Sequence, residues 1–312
     1  MTGADRRIDI CVCTFRRDSL AATLSSLFAC TVPAGWSVRV VVIDNDDTPS
    51  ARDRVAALAA AAPMPVDYVH APGRNISIAR NAALEAATGR LMLFIDDDEI
   101  ATAGWIAALH SVWQQTGADV VLGPVDAAYA PDAPAWMRRG HFHDTRPVFV
   151  SGTIRTGYSC NVLIDRQSPA LAGRRFRLEL GRSGGEDTEF FHAMHEAGAR
   201  IAYAPDALLT EPVPASRQSF GWLVKRRFRA GQTHSILLRD VRPGTAGHVA
   251  AIAKAAGKAA LCGVAAAAFV VSPTRARAWI LRGALHVGVV ARLLGARDLQ
   301  QYGRVDDHGF AP

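Results

Sequence analysis

Short β-branched runs alternate with amphipathic stretches over the first 125 residues. Ile8 to Thr14 and Val38 to Ile43 are continuous apolar runs, the pattern of strands buried on both faces in a parallel sheet. Between them, within Asp18 to Cys30, Leu20, Leu24, Leu27 and Phe28 recur at helical spacing, so the three segments form a βαβ unit. Arg52 to Ala62 predicts a second helix, Val66 to His70 a third strand, and Ser77 to Ala87 a helix that Gly89 stops. Leu91 to Ile95 is a fourth buried strand that runs directly into Asp96, Asp97, Asp98 and Glu99. This alternation predicts an α/β fold with an open, mostly parallel sheet flanked by helices.

The pattern loosens further on. Ile106 to Thr116 predicts a helix and Val120 to Val125 a strand, after which about 126–155 reads as a long irregular excursion rich in Pro, Gly, His and Trp. Glu186 to Ala197 returns to helix and Arg200 to Tyr203 to strand. Beyond Trp222 the chain changes character, with KRRFR at 225–229 and then Ala, Val, Leu and Gly carrying scattered cations. The uncharged run from Ala259 to Ser272 has 14 residues, short of the ~20 needed to span a bilayer. Two readings fit this part: a helix pair packed on the domain, or an interfacial pair held to anionic lipid by Lys254, Lys258, Arg275, Arg277 and Arg282.

Composition sharpens this division. With 49% apolar and 21% charged residues the 312-residue chain can bury a large core, which excludes a disordered protein. The net charge of +6 is unevenly spread: residues 1–212 carry 20 Arg against 25 acids, while 213–312 carry 15 Lys plus Arg against 4 Asp. The basic character belongs to the last third, and charge alone does not choose between nucleic acid, anionic lipid and a phosphate-bearing ligand. Cys11, Cys13, Cys30, Cys160 and Cys262 match neither a disulfide framework nor a CxxC metal site, which suits a reducing compartment. The opening MTGADRRIDICVCTF lacks a signal-peptide core, so a cytoplasmic catalytic part is expected.

Four places could carry chemistry. Asp96, Asp97 and Asp98 follow a buried strand, where open α/β sheets bind ligands, and their hard oxygens suit Mg²⁺ or Mn²⁺ bridging to a diphosphate. The bland alternative is a helix start decorated with acids. Asp44 ends VVVID, where an acid can accept from a nucleoside, although Asn, Asp and Thr-Pro there also favour an ordinary turn. In GRSGGEDTEFFHAM, glycines lead into a helix beginning with Glu186 and Asp187, placed either as general base or as helix caps. The KRRFR run, with Trp222 and Phe228 interleaved, is either a phosphate clamp or a solvated basic face. CTFRRDS stands where a dinucleotide fold would have G-x-G-x-x-G, and the histidines show no HExxH spacing; His192 and His195 read as surface or packing residues.

Taken in order, ICVCTFRRDSL, VVVIDND, GRNISIARNAALEAATGRLMLFIDDDE and GGEDTEFFHAMHEAGARIAYAP resemble the family 2 glycosyltransferases of GT-A fold, of the bacterial type that builds exopolysaccharides and lipid-linked glycans. The resemblance covers about 6–230 and implies an inverting, metal-dependent transferase. Thr14 and Asp44 would contact the nucleoside, Arg80 the base or diphosphate, and Asp96 and Asp97 the nucleotide, with Asp98 on the metal. Asp187 would be the base with Glu186 beside it, and Arg226 and Arg229 stand roughly where relatives carry QxxRW, without its Gln and Trp. LLTEPVP replaces a segment that often holds a metal-binding His, leaving Glu211 as the substitute ligand. A retaining route would need a nucleophile on the donor's other face, for which the sequence offers no candidate.

The expected organisation is a catalytic domain at 1–230, with a nucleotide-sugar half at 1–125 and an acceptor half at 126–230, and a basic helical extension at 231–312. The expected partners are a nucleotide-sugar donor, UDP-linked by preference, a glycan or lipid-linked acceptor, and an anionic membrane surface on the cytoplasmic side; nucleic acid is not expected. A nucleotidyltransferase would need a Gly-rich, Lys- or Arg-bearing first loop in place of CTFRRDS, and a non-catalytic membrane adaptor has only the basic last third in its favour.

Overall fold

In the computed structural model, residues 6–241, 245–297 and 299 are described; the remaining parts of the extension expected at 231–312 lie outside them. The order is β1 (Arg7–Thr14), α1 (Leu20–Phe28), β2 (Ser37–Asp44), α2 (Arg52–Ala59), β3 (Val66–His70), α3 (Ile76–Ala86), β4 (Leu91–Asp96), β5 (Ile100–Ala101), α4 (Trp105–Thr116), β6 (Val120–Leu122), β7 (Val125–Ala128) and α5 (Ala135–Gly140). There follow β8 (Phe149–Val150), β9 (Thr153–Ile154), β10 (Asn161–Asp165), α6 (Glu186–Glu196), β11 (Ile201–Tyr203), β12 (Leu209–Pro212), α7 (Phe220–Val241), α8 (Thr245–Ala268) and α9 (Pro273–Leu293).

Seven strands form the central sheet in the order β11-β6-β10-β4-β1-β2-β3, parallel except for β10, which runs antiparallel to both of its neighbours. The apolar runs make this sheet for the expected reason: Ile8, Ile10 and Val12 alternate with Cys11 along β1, each side chain buried against helices on its own face. One core packs α1 and α4 against one face through Leu20, Leu24, Trp105 and Leu109. The other packs α3 and α6 against the opposite face through Ala79, Ala83, Phe190 and Phe191. Register brings strand ends together, with Thr14 opposite Asp44 and Cys13 opposite Asp96. Three successive C-terminal strand ends therefore open on one edge of the sheet.

The run expected as one strand from Val120 to Val125 divides at Gly123-Pro124. Its first part stays in the main sheet, while β7 joins β5 and β12 in a three-stranded sheet. Asn161 holds the branch point, accepting from Trp105 Nε1 at 2.9 Å and donating to the carbonyls of Pro124 and Ala207 at 2.8 Å each. The excursion at 126–155 is less irregular than its composition suggests, since it holds β7, α5, β8 and β9.

The boundary expected at residue 230 falls inside α7. A side chain at Gly231 would overlap the Leu285 carbonyl of α9, and one at Gly288 the Phe228 carbonyl of α7, so two facing glycines let these helices cross in near backbone contact. Leu281 of α9 enters a core with Met137, Phe142 and Leu223. Among the described residues, helix α7 thus runs unbroken through the expected boundary.

Candidate functional site

The four consecutive acids point four ways. Glu99 turns inward and accepts from the Asp96 amide at 2.9 Å, and burial together with the charge of Asp96 pushes its carboxyl well above the usual range. Asp97 accepts from Thr14 Oγ1 at 2.6 Å across the β1–β4 strand ends. Asp98 lies 3.9 Å from both Arg17 and Arg217. Asp96 opens toward the cleft with 44% of its side chain accessible, yet desolvation pushes its carboxyl up to about 7. Asp96 thus forms part of an acidic wall that is partly open to solvent. Asp98, Glu211 and Asp187 raise Asp96 further, so their charges converge on it.

Glu211 reaches this wall from β12, accepting from Arg217 at 2.7 Å. Burial raises its proton affinity and Asp98 adds to the effect, while Arg217 and Arg226 oppose it. Asp97 is raised to about 7 by burial and by Asp98, against Arg17 and its bond from Thr14.

The second acidic cluster enters on α6. Gly184 and Gly185, at φ 86° and 96°, turn the chain through left-handed backbone into the helix, and a side chain at Gly185 would strike Thr233 of α7. The next two residues then face different surroundings. Glu186 is buried, its Oε1 paired with Arg80 and its Oε2 without a hydrogen-bond partner among the described residues. Burial raises its proton affinity, Arg80 lowers it and Asp187 raises it again. Half-buried Asp187 accepts from the Thr188 amide at 2.6 Å and Thr188 Oγ1 at 3.3 Å, both on Oδ1. Arg80 joins the two clusters, with its guanidinium on Glu186 and 4.0 Å from Asp96.

Asp44 stands at the end of β2, opposite Thr14 of β1. Its carboxylate is buried and accepts from the Asp46 amide at 3.1 Å, the Ala51 amide at 2.8 Å and Tyr68 at 2.8 Å. It shapes the loop after β2, the turn reading left open by the sequence. Arg226 stands 5.5 Å from the Trp222 ring and its charge reaches Glu211, whereas Arg229, one turn on, is half-buried and engaged by the fold.

Several participants are not apparent from sequence. Arg17 and Arg217 flank Asp98, and Arg217 also stacks on Trp222 at 5.8 Å. His143 stacks on the same indole at 5.2 Å, accepts from Tyr129 at 2.8 Å and donates to the Arg217 carbonyl at 3.2 Å. Burial, then Arg226, hold His143 down to about 4, so it is neutral and fixed in one tautomer. Arg17 lies within CTFRRDS, but only the fold reveals its partner.

Among the described residues no three acid, His or Cys side chains already stand in metal-ligand geometry. The chemistry of the donor set nevertheless suits a hard divalent ion, because Asp98 and Glu211 both raise the proton affinity of Asp96, and Asp98 raises that of Glu211. Such ions are commonly held by one or two carboxylates, with substrate phosphates completing the shell. A separate cavity of about 430 Å³ beside β11, lined by Phe149, Thr153, His195, Arg200 and Tyr203, contains none of these acids.

Residues 9–178 match the family model "Glycosyl transferase family 2". The succinoglycan biosynthesis protein ExoM of Rhizobium meliloti (strain 1021) is 50% identical over 296 residues, 95% of this chain and 96% of that one. A glucosyl-dolichyl phosphate glucuronosyltransferase of Haloferax volcanii is 24% identical over 252 residues, 74% of this chain and 77% of that one. Among solved structures, the mannosyltransferase PcManGT of Pyrobaculum calidifontis, in complex with GDP-Man and Mn²⁺, superimposes with a TM-score of 0.60 at 20% identity, covering 93% of this chain and 87% of that one. That likeness concerns the fold, a GT-A α/β architecture.

Proposed function

This chain belongs to glycosyltransferase family 2, and we propose that it transfers a sugar with inversion from a nucleoside diphosphate, UDP by preference, to a hydroxyl of a growing exopolysaccharide. The observation that carries this reading is the convergence of the two carboxylate clusters: Asp96, Asp98 and Glu211 on one side, Asp187 on the other, with Arg80 between them. The relative's role in succinoglycan synthesis supports a polysaccharide acceptor.

In this reading Thr14 and Asp97, locked together by their hydrogen bond, form the nucleoside wall. Asp98 and Glu211, with Asp96 alongside, would hold Mg²⁺ or Mn²⁺, which supplies Lewis-acid stabilisation for diphosphate oxygens. Arg17 and Arg217 sit beside those acids and can turn toward the diphosphate, matching its oxygens with paired N–H donors. Asp187 takes the acceptor proton on its carboxylate as the hydroxyl oxygen attacks the anomeric carbon and the bond to the nucleoside diphosphate breaks. Attack opposite the leaving group inverts that carbon. Glu186 is buried against Arg80 and positions it.

The chain would work at the cytoplasmic face of a membrane. From Thr245 to Arg297 it carries seven Lys and Arg and no acid. Helix α8 is long and apolar enough to cross a bilayer, with mean hydropathy 1.5 over its best window and only 17% of that window buried. Its exposed residues include Val249, Leu261 and Val264, and α8 is bound along its length to cation-bearing α9, so in-plane docking suits it better than spanning. The testing experiment is a screen of UDP-, GDP- and dTDP-sugars for nucleoside diphosphate release, with and without EDTA, followed by NMR of the product's anomeric configuration. Release that needs a divalent ion and gives an inverted linkage is expected; no turnover with any donor, or a retained linkage, overturns the reading.

A further inference from the structure

Three side chains crowd the indole of Trp222, in the first turn of α7. His143, from the excursion after α5, stacks on it with ring centres 5.2 Å apart and planes inclined by 23°. The guanidinium carbon of Arg217 lies 5.8 Å from the ring centre and that of Arg226 5.5 Å. Arg226 reaches the ring because it follows Trp222 by one helical turn on the same face of α7. Arg217 reaches it from the short turn Ala215–Arg217 that precedes the helix.

The stack is anchored to the body of the protein. Tyr129 and Trp222 both pack against the core of Met137, Phe142, Leu223 and Leu281. Tyr129 donates to His143 Nδ1 at 2.8 Å, and His143 Nε2 donates to the Arg217 carbonyl at 3.2 Å. One buried imidazole therefore fixes both the plane of the indole and the backbone that carries Arg217. It does so uncharged, since burial and then Arg226 depress its proton affinity, so it adds no third cation beside the two arginines.

From this platform the arginines extend to one part of the acidic wall. Arg217 donates to Glu211 at 2.7 Å and lies 3.9 Å from Asp98, and the charge of Arg226 also acts on Glu211. Asp97, beside the nucleoside wall, is instead engaged by Thr14 and Arg17. A long arginine held against an aromatic face has given up rotamer freedom before any ligand arrives, so its planar fork meets phosphate oxygens at a lower entropic cost. We propose that Trp222 is a positioning residue for the donor's diphosphate, braced by His143: the indole holds Arg217 and Arg226 as a pair for the sugar-bearing phosphate and adds nothing to the grip on the nucleoside. This role rests on the reading of the acidic cleft as the donor site, and names the group that preorganises its cations.

The test is isothermal titration, with Mn²⁺, of UDP, GDP and dTDP and of UMP, GMP and dTMP into the full chain. For the nucleoside that binds the parent best, Trp222→Leu should weaken the diphosphate by about tenfold and leave the monophosphate nearly unchanged. Trp222→Phe, which keeps an aromatic face, should recover most of that loss. In a chain already carrying Arg217→Gln and Arg226→Gln, Trp222→Leu should cost no further affinity, because the indole acts only through those two side chains. If Trp222→Leu does not fold, His143→Asn, which removes the stacked ring but keeps an acceptor for Tyr129, should show the same diphosphate-selective loss. Equal weakening of mono- and diphosphate, a loss that adds to that of the arginine variants, or unchanged diphosphate affinity overturns the role. Failure of the parent to bind any of the three diphosphates contradicts the donor-site reading itself and removes this role with it, a result distinct from binding that is indifferent to Trp222.

Discussion

Asp187 and Asp97 are both carboxylates at the cleft, but their surroundings give them different work. Among the described residues Asp187 accepts hydrogen bonds from its neighbour Thr188 alone, which leaves it open to an acceptor hydroxyl. A general base contributes about 10²–10⁴ in rate, so Asp187→Asn should slow transfer by about that factor in steady-state assays; a loss under tenfold would move the base to Glu186. Asp97 is instead enclosed, and its proton affinity is raised to about 7 by burial and by Asp98. A carboxyl raised in the folded state above its ordinary value of 3.8 contributes stability that is present at low pH and lost as pH rises through about 7. Asp97→Asn removes this titration while keeping an acceptor for Thr14. Without divalent ions, its Tm relative to the parent should therefore rise between pH 4 and pH 8; a difference that does not vary with pH would contradict the account. Asp96, Asp98 and Asp187 stand out as candidates in the sequence because strand ends and glycine-led helix starts expose acids to ligands, and the structure places Asp98 and Asp187 near enough for both to act on Asp96. Arg17 and Arg217 do not stand out, because their partner Asp98 lies about 80 residues from the one and well over a hundred from the other. Nor could strand-end position alone show that Asp44 accepts from its own turn and from Tyr68.

Elements with strong periodicity follow the sequence closely, from β1 through α4, since each buries a face that its own residues mark out. Among the strands not expected from the sequence, β10 and β12 lack that independence. NVLID at β10 is a short antiparallel insertion between parallel strands, and LTEP at β12 is paired only through β5 and β7, so both depend on partners distant in the chain. Helix α7 was divided at residue 230 because the change in composition masks continuous helical geometry. Its crossing with α9 is where the two halves are joined. Gly288→Leu would place a side chain against the α7 backbone, and overpacking of this kind typically costs about 1–3 kcal/mol. The expected result is a lower Tm and earlier protease cleavage between 245 and 297; an unchanged melting curve and digest would show that the helices separate freely there.

Across the whole molecule, the catalytic sheet and the basic helices are one packed body, so deleting the extension would uncover Leu223 and Met137. Surface substitution is the cleaner probe of membrane docking. Val249→Glu, Val264→Glu and Val271→Glu alter exposed positions alone, 59%, 69% and 90% accessible, and should shift the protein from anionic vesicles to the soluble fraction in flotation; unchanged partitioning would favour a hairpin that simply packs on the domain. Placing the cleft beside a bilayer makes sense only if that cleft binds a donor on one wall and an acceptor on the other. The central claim is that division of labour. It is tested most directly by isothermal titration of UDP with Mn²⁺ into the parent, Asp98→Ala and Asp187→Asn. The account predicts that Asp98→Ala loses nucleotide affinity while Asp187→Asn retains the parent's, because a group acting mainly in the transition state leaves ground-state binding alone. Equal loss in both variants would contradict it and place Asp187 with the donor.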